Sequence, residues 1–318
     1  MNKIFFGDCR KTLRELFDLG IKVQTCVTSP PYYGLRDYGH EGQIGLEQTP
    51  KEYIASMVEV FRCVWDVLKD DGTLWLNIGD SYYNYRPGKG QALIKQSVAN
   101  SDQDLPQICA RRGNKLNGLK EKDLIGIPWM LAFALRADGW YLRQDIIWHK
   151  PNPMPESMRD RCTKAHEYIF LLSKSQKYFF DSEAIKEQAK TQPTTRDKSG
   201  EGYHADYPKG DRFSAGERVW GADGKKNKRS VWEVATRPYK GAHFATFPPA
   251  LIEPCILAGS KSNDIVLDPF MGSGTTAQVA LQHGRQYIGC ELNPEYSSLQ
   301  EQRISCVIKK QLNINLCE

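Results

Sequence analysis

The chemistry of this chain is first suggested by residues 28–33, which read Thr-Ser-Pro-Pro-Tyr-Tyr. Two consecutive prolines fix φ and stiffen the backbone where this segment leaves a run of apolar residues. The carbonyl oxygens of such a loop and the hydroxyl of Ser29 can then face one point, with an aromatic ring beside them. A rigid group of acceptors next to a stacking ring suits a planar substrate that carries an NH2 group. A proline turn with a packed tyrosine would have the same sequence, and the segment alone leaves both interpretations open.

A second segment, residues 268–276, reads Asp-Pro-Phe-Met-Gly-Ser-Gly-Thr-Thr and lies between a predicted strand and a predicted helix. A glycine-rich turn in this context lets the backbone approach a ligand closely. The chain has no Gly-x-x-x-x-Gly-Lys pattern, and the dinucleotide-binding pattern is incomplete because Ala277 stands at its third glycine. The next predicted strand ends at Glu291, where a carboxylate can accept hydrogen bonds from ribose hydroxyls. We therefore expect a ribose-bearing cofactor over this turn.

Both segments follow strands of one predicted sheet. Short apolar runs bounded by turn residues predict strands of the buried parallel kind, and amphipathic runs between them predict helices. Because strands and helices alternate, we expect an α/β fold with a doubly wound, mostly parallel sheet, whose ligands bind beyond the carboxyl ends of the strands. The predicted strands are 3–6, 23–28, 73–78, 144–148, 168–172, 265–267 and 286–290, and the predicted helices are 10–19, 50–68 (stopped by the turn at 70–72), 128–137, 248–258, 275–283 and 294–310.

The distribution of charge indicates a polyanionic partner. The 318 residues carry a formal net charge of +5. Residues 86–122 contain 8 basic and 3 acidic side chains, and residues 186–240 contain 13 and 8, so each segment carries +5 and the rest of the chain −5. An acidic body with two basic segments fits binding to a polyanion, although solvated lysine-rich loops have the same composition.

Composition disfavours several protein classes. The mean hydropathy is −0.54, and without an apolar run of about 18 residues a membrane protein is not expected. The polar start of the chain disfavours a secretory signal. The nine cysteines include no Cys-x-x-Cys pair, so we expect free thiols in a reducing cytoplasm and no zinc or other metal site.

The two motifs, in this order, resemble those of the S-adenosylmethionine-dependent DNA amino-methyltransferases, which act on N4 of cytosine or N6 of adenine. Ser-Pro-Pro-Tyr first and Asp-Pro-Phe-x-Gly-Ser-Gly-Thr-Thr last resembles the circularly permuted order of the β class. Residues 6–9, 148–152, 166–167 and 243–248 resemble further landmarks of the family. The resemblance implies a Rossmann-like methyltransferase sheet with inserted recognition segments, S-adenosylmethionine as cofactor, and double-stranded DNA as substrate.

The resemblance also implies the residues of the site. Ser29, Pro30, Pro31 and Tyr32 would form the catalytic group. The Ser29 hydroxyl and the Pro30 carbonyl would accept the protons of the amino group, and Tyr32 would stack on a base flipped out of the duplex, with Tyr33 as the alternative stacking residue. The predicted cofactor-binding residues are Asp8, Cys9, Phe247, Asp268, Pro269, Phe270, Gly272, Ser273, Gly274, Thr275, Glu291 and Asn293.

The target base is predicted from the first residue of the catalytic motif. Within this family, a serine there is more often associated with N4 of cytosine and an aspartate with N6 of adenine, so cytosine is favoured and adenine is the alternative. A NAD-dependent oxidoreductase that uses the Gly-Ser-Gly turn and a non-catalytic DNA-binding module are more remote alternatives. RNA as the substrate is a weaker variant of the same activity.

Several other residues have plainer interpretations. Cys255 follows a proline, as the nucleophile of cytosine-C5 methyltransferases does, but its apolar helical surroundings predict a core cysteine. Asp80 and Asn77 could line a base pocket, although we expect a turn or cap role for both. His149 and His166 are expected to position their neighbours through hydrogen bonds rather than to carry protons.

We divide the chain into five parts on the basis of the motifs and the basic segments. The parts are a catalytic half at 1–83, a basic insertion at 84–122, the remainder of the catalytic half at 123–184, a target-recognition region at 185–240 and a cofactor-binding half at 241–318.

The resemblance also suggests two further partners. One is a second copy of the chain, since homodimers are common in the β class, and the other is a cognate restriction endonuclease.

Overall fold

The computed structural model describes residues 1–83, 118–189, 224–236 and 247–315, with side chains as far as residue 309. Eight strands form one central sheet in the order β1-β10-β9-β2-β3-β5-β4-β8, and β6 pairs with β7 apart from it. The strands are β1 (Asn2–Phe6), β2 (Val23–Thr28), β3 (Leu68–Ile78), β4 (Tyr141–His149), β5 (His166–Ser173), β6 (Glu187–Gln188), β7 (Lys225–Lys226), β8 (Val231–Glu233), β9 (Ile265–Asp268) and β10 (Gln286–Glu291).

Helices cover both faces of the sheet, so the expected doubly wound α/β fold is confirmed. Helices α1 (Cys9–Asp18), α2 (Pro50–Val67) and α3 (Ile127–Ala137) pack with one hydrophobic cluster, and α4 (Pro249–Gly259) and α5 (Thr275–Gln282) pack with a second. The last helix, α6 (Ser297–Asn315), packs beside α5. Within the described part of the chain, no helix combines the length and the apolar composition needed to cross a bilayer.

The direction of the strands decides which residues reach the ligand-binding edge. Seven strands of the central sheet run the same way, and β5 runs antiparallel to both of its neighbours, β3 and β4. The first residues of β5 therefore lie at the edge where the other strands end. A mostly parallel sheet with one reversed strand thus brings the start of β5 together with the ends of β2, β3 and β4.

Local sequence explains the most regular elements. All six residues of β2 are buried, as expected for a strand between two helical layers. Helix α2 begins with a capping box, in which the Thr49 hydroxyl accepts from the Glu52 amide and the Glu52 carboxylate accepts from the Thr49 amide. Pro50 at the first helical position has no amide hydrogen to leave unsatisfied. The structure agrees with the predicted strand at 23–28 and with the predicted start of α2 at residue 50.

Two predicted boundaries are wrong. The residues Asp70, Asp71 and Gly72 were expected to form the turn that stops α2, but they lie within β3. Leu68 is buried and has an extended backbone, so the helix ends and the strand begins at this residue. The register of β3 against β2 then shifts near Val23. At the end of the chain, a separate 3-10 turn begins at Pro294, so α6 starts later than predicted.

The edge strand β8 is missing from the sequence-based prediction. It pairs in parallel with the end of β4, its Trp232 side chain is buried, and the indole of Trp232 donates to the Arg229 carbonyl oxygen at 2.7 Å. Three residues are too few to show a period, and the pairing is distant in sequence.

Most of the two basic segments lies outside the described residues, which leave out 84–117, 190–223 and 237–246.

Two of the plainer interpretations are confirmed. Cys255 is 1% exposed within the second hydrophobic cluster, as expected for a core cysteine. The Asp80 carboxylate accepts from the backbone amides of Gly126 and Ile127 at 3.0 and 3.1 Å, so it caps the start of α3.

The substitution Gly259→Ala should destabilise the contact between α4 and the sheet. A Cβ at Gly259 would lie 2.7 Å from Thr25 Oγ1 and 2.9 Å from Trp75 Nε1, both on the strands beneath the helix. Because overpacking of a close-packed core typically costs about 1–3 kcal/mol, we expect a fall of this size in the free energy of unfolding, measured by urea denaturation. An unchanged urea midpoint would mean that α4 can move off the sheet without cost.

Candidate active site

The two motif segments leave adjacent strands of the sheet. Strands β2 and β9 pair in parallel, with Cys26 opposite Leu267, so the loop after β2 and the turn after β9 emerge at the same edge. At this point the Thr28 hydroxyl donates to the Asp268 carboxylate at 2.6 Å. The expected meeting of two segments that are 240 residues apart is therefore confirmed.

Asp268 is a buried anchor between these segments. Its carboxylate also accepts from the Thr276 hydroxyl at 2.6 Å and from the Phe270 amide at 3.0 Å, and the residue is fully buried. Burial raises the pKa of this carboxyl to about 6, against the opposing effect of its hydrogen bonds. Both oxygens bond to protein groups, so this side chain holds the loop after β2, the glycine-rich turn and α5 together.

The glycine-rich turn has a backbone that suits its sequence. Gly274 has φ of +83° and precedes α5, and a Cβ there would lie 3.4 Å from the Gln300 Cα atom on α6. The Gln300 amide donates to the Gly272 carbonyl oxygen at 2.6 Å, and Arg303 donates to the Thr275 hydroxyl. Helix α6 therefore packs against this turn and stabilises it through these two hydrogen bonds.

One polar atom of the turn lacks a protein partner. Ser273 is only 5% exposed, and its buried hydroxyl oxygen has no hydrogen bond to any of the described residues. Buried hydroxyls are normally paired, because an unmade hydrogen bond costs about 1–3 kcal/mol. Ser273 therefore marks a position where a polar ligand group would be stabilised.

The carboxylate of Glu291 faces the same turn. It accepts from the Gly272 amide at 2.7 Å and from the Asn293 amide at 2.9 Å, and the Asn293 side chain in turn accepts from the Glu295 amide at 2.8 Å. Burial raises the pKa of the Glu291 carboxyl. The two carboxylate oxygens offer about four acceptor positions in total, more than the backbone amides occupy, so the geometry is compatible with the predicted contact to ribose hydroxyls.

Asp8 lies beside Glu291, because β1 pairs with β10 and the Gly7 amide donates to the Glu291 carbonyl oxygen at 2.8 Å. Its carboxylate caps α1 by accepting from the Arg10 amide at 2.9 Å and also binds the Arg10 guanidinium at 2.8 Å. The Arg10 side chain holds the pKa of Asp8 below its usual value. The neighbouring Cys9 is buried, which raises the pKa of its thiol to about 12 and leaves it unreactive.

The catalytic motif combines free and occupied acceptors. The Tyr53 hydroxyl donates to the Pro31 carbonyl oxygen at 2.9 Å, whereas the Pro30 carbonyl oxygen receives no hydrogen bond from the described residues. Tyr33 is 3% exposed and lies 5.5 Å from the Tyr53 ring between ring centroids, so it belongs to the core. Of the two tyrosines in the motif, only Tyr32 remains a candidate for stacking on a base.

The hydroxyl of Tyr32 meets residues from three other positions of the edge. It donates to Glu167 Oε2 at 2.7 Å, lies 3.3 Å from Asn77 Oδ1, and lies 3.4 Å from the Ser29 hydroxyl oxygen. Glu167 forms an ion pair with Lys150. Asn77 is therefore part of this cluster, and the turn or cap role expected for it is wrong.

The close approach of Tyr32 to β3 depends on a glycine. A Cβ at Gly79 would lie 2.6 Å from Tyr32 Cε2 and 3.4 Å from the Glu167 carboxyl carbon. Sequence reasoning noted Lys150 and Glu167 only as landmarks of the family. A usable signal was their position at the end of β4 and the start of β5, where side chains reach the ligand-binding edge.

Phe247, His149 and His166, which the sequence analysis also singled out, have different neighbours in the structure. Phe247 is partly buried against the second hydrophobic cluster beside α4, and residues 243–246 of its motif lie outside the described residues. His149 lies 3.4 Å from the Glu233 carboxylate on β8, consistent with the expected positioning role. His166 has its pKa lowered by burial, and its ring lies 5.4 Å from that of Tyr168.

The substitution Asp268→Asn should change how stability depends on pH. The folded-state pKa of about 6 lies above the unfolded value of 3.8, so between these values the folded protein holds a proton that the unfolded chain has released. The free energy of unfolding should therefore fall, by up to about 3 kcal/mol, as the pH rises through this window. Urea denaturation at a series of pH values should show this component in the unsubstituted protein and not in the variant. Parallel pH profiles would contradict the anchoring role with a raised pKa.

Comparisons with known proteins agree with this geometry. The family model described as DNA methylase (N6_N4_Mtase) matches residues 23–302. The chain is 48% identical over 306 residues to the Type II methyltransferase M.SmaI of Serratia marcescens, covering 95% of this chain and 90% of that protein. It is 46% identical over 301 residues to the Type II methyltransferase M.Cfr9I of Citrobacter freundii, covering 95% and 87%.

Solved structures share the fold at lower identity. The PvuII DNA methyltransferase (cytosine-N4-specific) has a TM-score of 0.59 at 18% identity, covering 98% of this chain and 93% of that one. The complex of M1.HpyAVI with S-adenosylmethionine has a TM-score of 0.54 at 17% identity, covering 96% and 99%. These structures share the fold, and the family model with the two relatives places the chain in the N6/N4 DNA methylase family of S-adenosylmethionine-dependent amino-methyltransferases.

Proposed function

We propose that this DNA amino-methyltransferase is site-specific and transfers the methyl group of S-adenosylmethionine to N4 of a cytosine flipped out of double-stranded DNA. The observation that carries the proposal is the hydrogen bond between Thr28 and Asp268, which holds the acceptor loop and the cofactor turn on neighbouring strands. A methyl donor over the turn and an amino group against the loop would then be neighbours. Reaction between two bound groups needs this proximity more than it needs a strong base.

The cofactor turn fits S-adenosylmethionine in its donors and acceptors. The Ser273 hydroxyl, which has no partner among the described residues, and the remaining acceptor capacity of Glu291 can bind polar groups. A Cβ at Gly272 would have only the Phe270 carbonyl oxygen within 4 Å, at 3.9 Å, so this glycine leaves the backbone open to close approach. When bound, the cofactor supplies a methyl group activated by a sulfonium. The other residues that we assign to its site are Asp8, Cys9, Phe247, Pro269, Phe270, Thr275 and Asn293, with Asp268 acting through the turn that it anchors.

The catalytic loop would prepare the amino group for reaction. An exocyclic amino group is a poor nucleophile because its lone pair is delocalised into the ring. If the Ser29 hydroxyl and the Pro30 carbonyl oxygen accept its two hydrogens, the nitrogen is drawn towards tetrahedral geometry and its lone pair is directed out of the base plane. Fixed acceptors of this kind act as preorganised dipoles, so no strong base is assigned to Ser29. As the N–C bond forms, the S–C bond of the sulfonium breaks, and the nitrogen then loses one proton to water or through a backbone route.

Base flipping explains why an aromatic residue follows the acceptors. The amino nitrogen is buried in duplex DNA, so the base must leave the stack before it can react. Tyr32 would then stack on the flipped ring. The basic segments at 84–122 and 185–240 would bind phosphates and read bases, and 185–240 is the proposed target-recognition region.

The proposed partners follow from the family. Two close relatives carry the name Type II methyltransferase, which supports a role in restriction and modification with a cognate restriction endonuclease. A homodimer and a cytoplasmic location belong to the same proposal. The proposal also includes the division of the chain into a catalytic half, two basic segments and a cofactor-binding half, with the boundaries predicted from the sequence.

The assignment to cytosine rests on Ser29 at the head of the motif, and it has a direct test. Unmethylated bacteriophage DNA is incubated with the protein and labelled S-adenosylmethionine, digested to nucleosides, and analysed by mass spectrometry. We expect labelled N4-methylcytosine. Labelled N6-methyladenine would overturn the choice of base but not the activity, and the absence of any labelled nucleoside would overturn the activity itself.

The substitution Tyr32→Ala should lower turnover far more than cofactor binding. Stacking of a base on an aromatic ring is worth about 1–3 kcal/mol, so we expect turnover to fall roughly tenfold to a hundredfold. The dissociation constant for S-adenosylmethionine, measured by calorimetry, should stay close to its original value. Tyr33→Phe, which removes only a buried hydroxyl beside it, is the control. Equal losses of turnover and cofactor affinity in Tyr32→Ala would count against the stacking role.

A further inference from the structure

A chain of hydrogen bonds runs from an ion pair to the catalytic serine, and we call it the acceptor chain. Its members in order are Lys150, Glu167, Tyr32 and Ser29. The first two lie at the end of β4 and the start of β5, and both side chains are mostly buried, at 18% and 17% exposure. The backbone there is also fixed, because the Lys150 amide donates to the Ala165 carbonyl oxygen at 2.8 Å.

The ion pair sets the hydrogen-bonding character of Glu167. The Lys150 ammonium group has three donors and no acceptor, and it occupies Glu167 Oε1. A carboxylate that keeps its negative charge beside this cation can only accept hydrogen bonds. The oxygen that faces Tyr32, Glu167 Oε2, is therefore an obligatory acceptor.

Asn77 presents a second acceptor to the same hydroxyl. Its amide nitrogen donates to the Tyr168 carbonyl oxygen at 3.1 Å, which turns Oδ1 towards the Tyr32 hydroxyl at 3.3 Å. Tyr32 has one hydroxyl hydrogen, and both neighbouring oxygens on the strand side can only accept it. Glu167 Oε2 also accepts from the Asn77 amide nitrogen at 3.4 Å. Burial and the charge of Glu167 raise the pKa of Tyr32 well above its usual value, so the hydroxyl keeps this hydrogen.

The direction of the remaining bond follows. Because the only hydrogen of Tyr32 points to the strand side, its oxygen must accept from Ser29, whose hydroxyl lies 3.4 Å away. The Ser29 hydrogen is then used within the protein. Its lone pairs are left for a group outside the chain.

We infer that Lys150 and Glu167 are positioning residues that orient the Ser29 hydroxyl as an acceptor towards the substrate amino group. The inference rests on the proposed function. A serine hydroxyl can otherwise either donate or accept. If it donated to the amino nitrogen, it would engage the lone pair that must form the new bond, so the direction of the acceptor chain decides whether Ser29 assists or opposes methyl transfer.

The experiment combines substitutions in a double-mutant cycle. Glu167→Gln replaces an obligatory acceptor by a group that can donate, Tyr32→Phe interrupts the chain but keeps the ring, and Ser29→Ala removes its end. Glu253→Gln, which breaks the pair between Glu253 on α4 and His283 directly after α5, is the matched control. The measurements are the single-turnover rate constant for methyl transfer, the dissociation constant for S-adenosylmethionine and the thermal midpoint.

We expect Glu167→Gln and Tyr32→Phe each to lower the single-turnover rate constant about tenfold or more, with cofactor affinity unchanged and the control unaffected. In the Tyr32→Phe or Ser29→Ala background, Glu167→Gln should cause no further loss, because the chain is already broken. This coupling is the readout that a purely structural role would not produce.

Other results would overturn the inference in distinguishable ways. Independent, multiplicative losses in the double variants would show that Glu167 acts apart from Ser29, while leaving the proposed function intact. A full rate in Glu167→Gln would do the same. If Glu167→Gln lowers the thermal midpoint, Tyr32→Phe takes its place in the cycle. A Tyr32→Phe/Ser29→Ala double variant with a lower rate constant than Ser29→Ala alone would then contradict the acceptor chain. A wild-type protein without methyl transfer would overturn the proposed function and the inference with it.

Discussion

The structure of the site depends on the buried carboxylate of Asp268. It joins Thr28 at the end of β2, the Phe270 amide in the glycine-rich turn and Thr276 in the first turn of α5. An unpaired carboxylate at this depth would be very unfavourable, so the three donors and the acid require one another. Because the two motifs meet at this point, the distance between the acceptor loop and the cofactor turn is set by the interior of the protein and not by mobile surface contacts.

The edge around this anchor divides into two halves with different electrostatics. On the proposed cofactor side, Glu291 is partly buried and accepts from backbone amides, which stabilise a negative charge next to the turn. On the base side, the charge of Glu167 is balanced by Lys150. The first half offers acceptors to polar ligand groups, and the second fixes the orientation of the Tyr32 and Ser29 hydroxyls. Both halves are built at strand ends, where parallel strands bring side chains together.

The sequence predicted the parts of the fold that carry strong local signals. The buried run of β2 and the amphipathic run of α2 were recognised because hydrophobic patterning acts over a few neighbouring residues. Strand β8 was missed because its three residues are defined by pairing with β4, which no local pattern reports. The acidic residues at 70 and 71 were taken for a helix stop because their place at the irregular start of β3 depends on the register with β2.

The candidate site was predicted unevenly for the same reason. The motif spacing brought residues 29–32 and 268–276 to one edge, but it did not distinguish a side chain that faces a ligand from one that holds the motif together, as Asp268 does. It favoured Tyr32 over Tyr33 for stacking but kept Tyr33 as the alternative, and the packing of Tyr33 against Tyr53 in the core removes that alternative. The link between Glu167 and Tyr32 spans 135 positions and depends on the reversal of β5, so it exists only in three dimensions.

The reversed strand has a consequence for how such proteins can diversify. Residues 151–164 connect β4 to β5 above the ligand-binding edge, and the backbone bond between Lys150 and Ala165 closes the connection at its base. A chimera that carries another relative's connection between these two residues would keep the ion pair and the reacting groups in place. Residues 150 and 165 are therefore the natural junctions for exchanging this connection, because the paired strands on both sides hold Lys150 and Glu167 independently of it.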